Sequence, residues 1–538
     1  MTDTKSAAAP TARRTDGPRR TARPGLVLLV IAGAQLMVVL DATIVNIALP
    51  SMGDYFHKTQ TSMTWALNAY TLAFGGLLLL GGRSGDLLGR RRMFIVGLSL
   101  FSIGSLLGGL APSYGLLLFG RVVQGIGGAI SSPTALSLVT TEFEEGEART
   151  RAFAVYAAVS GAGAALGLLL GGVLTEYFTW RWVLFVNVPI GVVLIAGAYL
   201  YLHESERRQA GRFDALGGLL SIAGMVGVVY GFIHAANDGW SNSITVGVLV
   251  AAGVLLIAFF LWETRAADPM LPVRVIADRN RGGAYLVMLI VGAAMFGMFY
   301  FVTFFIQQVM HFSALRAGFA FLPVAFIIGV TSQIMTKALP RFGPKPLIVL
   351  GAGLLTVAMF WYAHVDAGSG YWNLFFPGLV VMAAGMGCIF VPLTTVAVAR
   401  VRNTDAGVAS AMLNVGQQVG GSLGLSILAT VAATAGRSAG KSKAADLAQQ
   451  VKAGHLRPDV FKHLQELTAA QQGHTPSAAA LHDSAAVQAV AQIQAHSSGM
   501  GFLVAGFLGI AAIVVALILI NVRKTDVPTE PSEVTAAA

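Results

Sequence analysis

The chain predicts an all-α polytopic membrane protein with fourteen transmembrane helices, on three observations. Hydrophobic residues make up 55% of its 538 positions and charged ones 12%, with a mean hydropathy of +0.69, whereas soluble domains are about a quarter charged. Apolar runs near the ~20 residues that a spanning helix needs recur along the whole length. Lys and Arg, finally, cluster in alternate connections between those runs, as the positive-inside rule requires.

The runs lie near residues 26–49, 63–82, 93–111, 115–139, 152–175, 183–202, 214–235, 243–262, 283–305, 316–337, 346–364, 371–392, 405–432 and 499–521. With the amino terminus inside, the inner segments hold 26 Lys and Arg, and the short outer loops hold three, Lys58, Arg181 and Arg316. That bias predicts both termini on the cytoplasmic face. Residues 1–24, built of Ala, Thr, Pro and Arg without apolar periodicity, read as a disordered basic tail, and residues 526–538 as a second tail. The first apolar run is longer than a signal-peptide core and keeps an acid, so it is expected to remain as span one. The net charge of +10 resides in these topological clusters, which argues against a nucleic-acid partner. Cys388 is the lone cysteine and has no thiol in the chain to pair with. Between spans thirteen and fourteen, residues 433–498 form a long outer connection. Its Leu447, Val451, Leu456, Val460, Leu464 and Leu467 recur at helical spacing, compatible with surface helices or with a flexible loop.

Asp41 lies two thirds of the way along the run Gly25 to Pro50 and is the acid, of 26 in the chain, that falls well inside a predicted span. A carboxylate there costs roughly 2.5–3.5 kcal/mol on insertion scales, which marks it as functional. Arg121 sits seven residues into span four from Tyr114, about 10 Å deep, and Asp41 nine residues from Pro50, about 13 Å deep, at 1.5 Å per residue. The two opposite charges are therefore expected at similar depth. Pairing lowers the cost of burying both, and a change in their separation shifts the acid's proton affinity.

The connection Gly82 to Arg91 reads GRSGDLLGRR. Gly82, Gly85 and Gly89 permit close approach and a tight turn, and Asp86 is suited to pairing with arginines or a helix amino terminus. Gly82, Asp86, Gly89, Arg90 and Arg91 match G-x-x-x-D-x-x-G-[RK]-[RK], and on these residues the chain resembles the major facilitator superfamily. That resemblance implies that Asp86 lies near Asn403 to Gly407 and holds the outward-open state. Span four, LLLFGRVVQGIGGA, resembles the superfamily's motif around an intramembrane arginine, with Arg121, Gln124, Gly125 and Gly128 in matching places. Span five, GAALGLLLGG, is similar to the antiporter motif G-x-x-x-G-P-x-x-G-G through Gly163, Gly167, Gly171 and Gly172, with Leu168 where the family has proline.

Three longer stretches, LDATIVNIALP from Leu40, WRWVLFVNVPIG from Trp180 and ASAMLNVGQQVGGSLG from Ala409, resemble the fourteen-span drug:proton antiporters of the EmrB/QacA type. The resemblance implies a major facilitator fold: two six-helix bundles, residues 25–203 and 281–525, with two inserted helices within 204–280. Arg341, Gly343 and Lys345, after span ten, repeat the glycine-and-basic end of the Gly82–Arg91 connection at the corresponding place in the second half.

Transporters of this build hold substrate near the midplane between two rocking halves. The polar side chains expected at that cavity are Asn46, Asn68, Gln124, Gln307, Gln308, Gln333, Asn414 and Gln417, with the tyrosines Tyr70 and Tyr156. Tyr300, Phe304 and Met412 are expected to supply apolar contacts. A greasy cavity with few charges suits lipophilic neutral or cationic small molecules. The expected function is proton-coupled multidrug efflux by a monomer, driven by the proton-motive force without a cofactor. The alternatives are an exporter of one metabolite, antibiotic or lipid, a proton symporter, and a membrane sensor on a transporter scaffold. No Walker loop, zinc-ligand spacing or nucleophile motif points to an enzyme.

Overall fold

The computed structural model describes residues 23–143, 147–204, 214–267, 269–271, 273–399, 406–470 and 477–522, which form helices and no strand. Among them, thirteen helices are long and apolar enough to cross a membrane. They are α1 (Pro24–Phe56), α2 (Gln60–Leu88), α3 (Arg90–Leu110), α4 (Tyr114–Glu142), α6 (Trp182–Tyr201), α7 (Ala215–Asp238), α8 (Ser243–Glu263), α9 (Arg279–Gln308), α10 (Ala314–Phe342), α11 (Pro344–Tyr362), α12 (Tyr371–Ala397), α13 (Ala406–Lys452) and α14 (Ser484–Leu519). The fourteenth expected span is α5 (Glu147–Tyr177), 31 residues long and so about 46 Å. After Glu147, Arg149 and Arg151 in its first turns, residues 152–175 of this helix carry no charged side chain.

Local chemistry sets the boundaries. Pro24 opens α1, where its missing N–H costs nothing. Side-chain caps start several of the others: Thr59 accepts from the Ser62 N–H at 3.2 Å, Asn242 from Ile244 at 2.9 Å and Asp278 from Arg281 at 3.0 Å, each worth about 1 kcal/mol. Gly89 and Gly343 have φ of +104° and +77°, and each is the single residue between two long helices, a conformation that glycine adopts without a Cβ penalty. The three-residue echo in the sequence is thus a repeated joint, α2 to α3 and α10 to α11.

The first six helices pack mainly among themselves, α3 and α2 against α4 and α1 against α5. In the second bundle α9 packs on α13 and α14, and α11 on α12 and α14. The bundles meet through α2 with α13, α5 with α10 and α1 with α9, and the α7–α8 hairpin leans through α7 on both α2 and α13. Naming the two faces by residues, the Phe56 side is the one predicted to be external and the Leu88 side the one predicted to be cytoplasmic. On the Phe56 side a single apolar cluster joins the bundles, from Ala48, Leu49 and Met52 to Val302, Phe305 and Phe321. On the Leu88 side the first bundle has its own cluster, with Val27, Ile31, Phe94 and Leu138.

The outer connection is more helical than either expectation. α13 continues to Lys452 and α14 begins at Ser484, with Val460–Ala470 folded back between them. Leu447, Val460 and Leu464 bury with Ala486 and Ala489 in a small core of their own. A second departure concerns the acids: Glu263, at the last position of α8, and Asp214, just before α7, are 3% and 8% exposed. Asp41 is therefore not the one buried carboxylate, because the turn after α8 folds back over residues that lie just beyond the apolar runs.

Candidate functional site

Five helices of the first bundle converge on Asp41. The carboxylate is 0% and Arg121 1% exposed, and Arg121 Nη1 donates to Asp41 Oδ2 at 2.6 Å. The depth argument from the two ends of α1 and α4 is thus realised as contact. Asp41 Oδ1 accepts from Gln124 Nε2 and from Asn187 Nδ2, both at 2.9 Å. Ser105 Oγ accepts from the same two amides at 3.0 Å and donates to the Leu184 carbonyl at 2.7 Å. Arg121 also donates through Nε to the Ala66 carbonyl at 2.9 Å and through Nη1 to Gln124 Oε1 at 2.9 Å. Its guanidinium lies 4.4 Å from the centre of the Tyr70 ring. Charge-assisted bonds of this kind are roughly twice as strong as neutral ones. With one partner removed, the other would be a buried unpaired charge, at a cost of about 3–5 kcal/mol.

The network also has unused capacity. Arg121 Nη2, Asn187 Oδ1 and the Tyr70 hydroxyl are buried without a hydrogen-bond partner among the described residues. If the Asp41–Arg121 bond opens, a free donor and a free acceptor already stand beside it.

Asn187 and Ser105 were not singled out in the sequence. Asn187 lies in the WRWVLFVNVPIG stretch, where the helix is interrupted between Phe185 and Asn187. An amide at a break in an apolar helix was the available signal. Ser105, one of several serines in α3, carried none.

The expected cavity residues separate into three groups. Gln124 and Tyr70 belong to the Asp41 network. Asn46, Asn68 and Gln307 clasp the two bundles on the Phe56 side. Asn46 Nδ2 donates to Thr303 Oγ1 at 3.1 Å and to the Phe299 carbonyl at 3.2 Å. Asn68 donates to Ser426 at 3.0 Å and accepts from Ser422 at 2.9 Å, and Gln307 donates to the Ile47 carbonyl at 3.1 Å. Tyr300 and Met412 are buried, Phe304 packs its ring 5.9 Å from that of Tyr300, and Gln308 is half-buried. Gln417 reaches the Met295 sulfur at 3.9 Å. Toward the Leu88 side, Gln333 and Asn414 are exposed, and the Tyr156 hydroxyl donates to Gln35 Oε1 at 2.7 Å. Gln35, which also accepts from Ser132 at 3.2 Å, is a polar residue that sequence reasoning passed over.

The glycine motifs are close-packing devices. A Cβ on Gly163 would stand 3.1 Å from the Leu36 side chain, on Gly167 2.8 Å from the Leu40 carbonyl, and on Gly171 2.8 Å from that of Ile44. On Gly172 it would stand 2.7 Å from the Ala314 carbonyl. The stripe thus seats α5 on α1 and, at its end, on α10 of the other bundle. α5 is continuous through Leu168. In the α2–α3 joint a Cβ on Gly85 would press the Thr134 methyl at 2.8 Å, while one on Gly82 meets only ordinary contact with Pro133. Arg90 donates to the Ser137 carbonyl at 3.3 Å and Arg91 to the Tyr199 carbonyl at 2.7 Å, tying the joint to α4 and α6. The side chain of Asp86 and residues 403–405, its expected neighbours, lie outside the described residues.

The model of the Major Facilitator Superfamily matches residues 31–425. The chain belongs to that superfamily. Superfamily members among its relatives include the puromycin resistance protein of Streptomyces alboniger, 45% identical over 73% of this chain and 78% of that protein. The cephamycin export protein of Amycolatopsis lactamdurans is 36% identical over 76% and 85%. Among solved structures, a bacterial homolog of the human lysosomal transporter Spinster, in its inward-facing and occupied conformation, aligns over 94% of this chain and 98% of its own with a TM-score of 0.62. At 15% identity, that likeness concerns the fold. The chain is accordingly a multi-pass membrane transporter of the superfamily and not an enzyme.

Proposed function

We propose that this transporter is a proton-coupled antiporter of the plasma membrane. It exports lipophilic neutral or cationic drugs by alternating access, as a monomer, with both termini cytoplasmic and the proton-motive force as its only energy source. One observation carries the reading: a fully buried carboxylate on α1 is paired at 2.6 Å with an arginine on α4, at the heart of one of two bundles whose cross-bundle hydrogen bonds, among the described residues, lie on the Phe56 side. Under the positive-inside topology that side is external, which supports reading the described conformation as inward-facing.

In this state Asp41 accepts three hydrogen bonds and donates none, as an acid does after releasing its proton. A proton arriving from outside would neutralise Asp41 and free Arg121 from its counter-charge, and the new O–H has the unpartnered Asn187 Oδ1 as an acceptor in the same network. Drug entering from the cytoplasm favours proton release, and the paired state then turns outward. For a neutral drug, each proton moving inward supplies about 2.3 kcal/mol per 100 mV, enough for roughly a fiftyfold drug gradient at tenfold per 1.4 kcal/mol.

The test is growth protection in a pump-deleted host. Resistance to several unrelated lipophilic dyes, abolished by a protonophore, is the expected result; protection that persists with the proton gradient collapsed overturns the coupling. A second reading, export of one antibiotic, is favoured by the relatives, two of which are named for a single compound each. Resistance confined to one chemical class would select it.

A further inference from the structure

The inserted hairpin carries a pair of buried carboxyl groups, Asp214 and Glu263, far along the chain from Asp41. Asp214 caps α7, with Oδ1 accepting from the Gly217 N–H at 2.9 Å and from the Trp262 indole at 2.7 Å. Glu263 ends α8, with Oε2 accepting from the Leu271 N–H at 2.9 Å. One oxygen of each remains: Asp214 Oδ2 and Glu263 Oε1 are buried without a hydrogen-bond donor. Both crowd one point, lying 2.5 and 2.8 Å from where a Cβ on Gly217 would stand.

Two ionised carboxylates in this arrangement are untenable. Each would keep a desolvated lone pair without a donor, a loss of about 1–3 kcal/mol, and their like charges would repel at short range. A single proton between them removes both penalties, turning two unpartnered acceptors into one donor and one acceptor. We propose that Asp214 and Glu263 share one proton, forming a proton-binding site separate from the Asp41–Arg121 pair. Burial alone would raise the Asp214 pKa, but the Gly217 N–H and the Trp262 indole hold it below the ordinary value, whereas Glu263 has one backbone donor, so the proton sits on Glu263.

Arg212, two residues before Asp214, lies outside the described residues. Asp214 is the charged group that acts on Glu263. Arg265, two residues on, is exposed. The segment leading to α9 contributes backbone N–H groups at Met270 and Leu271, with Asp268 outside the described residues. α2 contributes Leu80, whose methyl meets the Gly218 position. The shared proton therefore fastens the two cytoplasmic ends of the hairpin, and through Leu271 the start of the second bundle, where α7 rests on α2. That is beside the α2–α13 seam that alternating access must shear.

The experiment is infrared difference spectroscopy across neutral pH on the full-length protein in detergent, in an Asp41→Asn background so that the central acid contributes nothing. The expected result is a carboxylic-acid C=O band that titrates as one proton and is lost in Glu263→Gln, whose amide still donates toward Asp214. It should be lost equally in Asp214→Asn, which keeps the cap and donates to an ionised Glu263. A folded state that holds a proton the unfolded chain has released loses stability as pH rises. The thermal midpoint of the Asp41→Asn protein should thus fall on going from mildly acidic to neutral pH, and that slope should flatten in the Gln variant. Absence of the band in the Asp41→Asn protein, or its survival in folded Glu263→Gln, overturns the proposal.

Discussion

The centres of the two bundles are built from the same helix arrangement and filled with different chemistry. In the first, α1 and α4 bury an ion pair inside a lattice of amides and a serine. In the second, residues 281–522 bury no acid or base among the described residues. α9 presents Met295, Met298, Tyr300, Phe301 and Phe305, with Thr303 as its buried polar side chain. An approximate repeat has thus been divided into a half that buries an ion pair and a half that packs methionine and aromatic side chains. The difference explains why the closed seam relies on neutral pairs: Asn46 with Thr303, Asn68 with Ser422 and Ser426. Neutral bonds of this kind in membranes average ~0.6 kcal/mol, weak enough to be made and broken in each cycle.

The sharpest way to break the contrast is Arg121→Ala, which leaves Asp41 buried without its counter-charge. It should destabilise the detergent-solubilised protein by about 3–5 kcal/mol, and thermal unfolding should recover much of that loss when Asp41→Asn is added, without recovery of transport. Next in size is the packing of the glycine stripe. Gly171→Val drives branches into the Ile44 carbonyl and should cost about 1–3 kcal/mol. In the second bundle Gly353 has nothing within 4 Å of its Cβ position, and Gly353→Ala should be neutral or stabilising by up to about 1 kcal/mol, read in the same melts.

A smaller effect is expected at the clasp. Asn68→Ala removes two cross-bundle bonds at a cost of about 1 kcal/mol, and should increase labelling of a cysteine placed at Asn46 by an impermeant thiol reagent added outside. The smallest concerns the outer hairpin, where His463 Nδ1 and Asp483 Oδ2 stand 2.7 Å apart. Burial works to raise the Asp483 pKa, yet the His463 bond and the Ala485 and Ala486 N–H groups bring it below the usual carboxylate value. That contribution is present above pH ~4, the unfolded carboxylate value, and fades as pH falls through the lower folded value. Hydrogen exchange at residues 460–470 should accelerate in strong acid, and Asp483→Asn should remove the acid dependence.

Much of this was legible in the chain because membrane physics writes itself into composition. The spans follow from apolar length, and the depth match of Asp41 and Arg121 follows from helical rise. Gly89 and Gly343 could be recognised as the same joint from three residues. What stayed hidden depends on tertiary folding. Asn46 and Asn68 look like cavity residues but close the seam in this conformation, and no periodicity distinguishes the two roles. Asn187 and Ser105 gain importance only when five helices meet. Asp214 and Glu263 sit just beyond their apolar runs, where an acid is ordinarily solvated; only the return of residues 269–271 over the end of α8 buries them.

The most direct test is drug-driven proton movement in inverted membrane vesicles, wild type against Asp41→Asn, an isosteric change that keeps one acceptor oxygen for Arg121. Wild-type vesicles should release protons when a transported dye is added, and the Asn variant, folded and able to bind the dye, should release none. An undiminished proton signal from the variant would contradict the account.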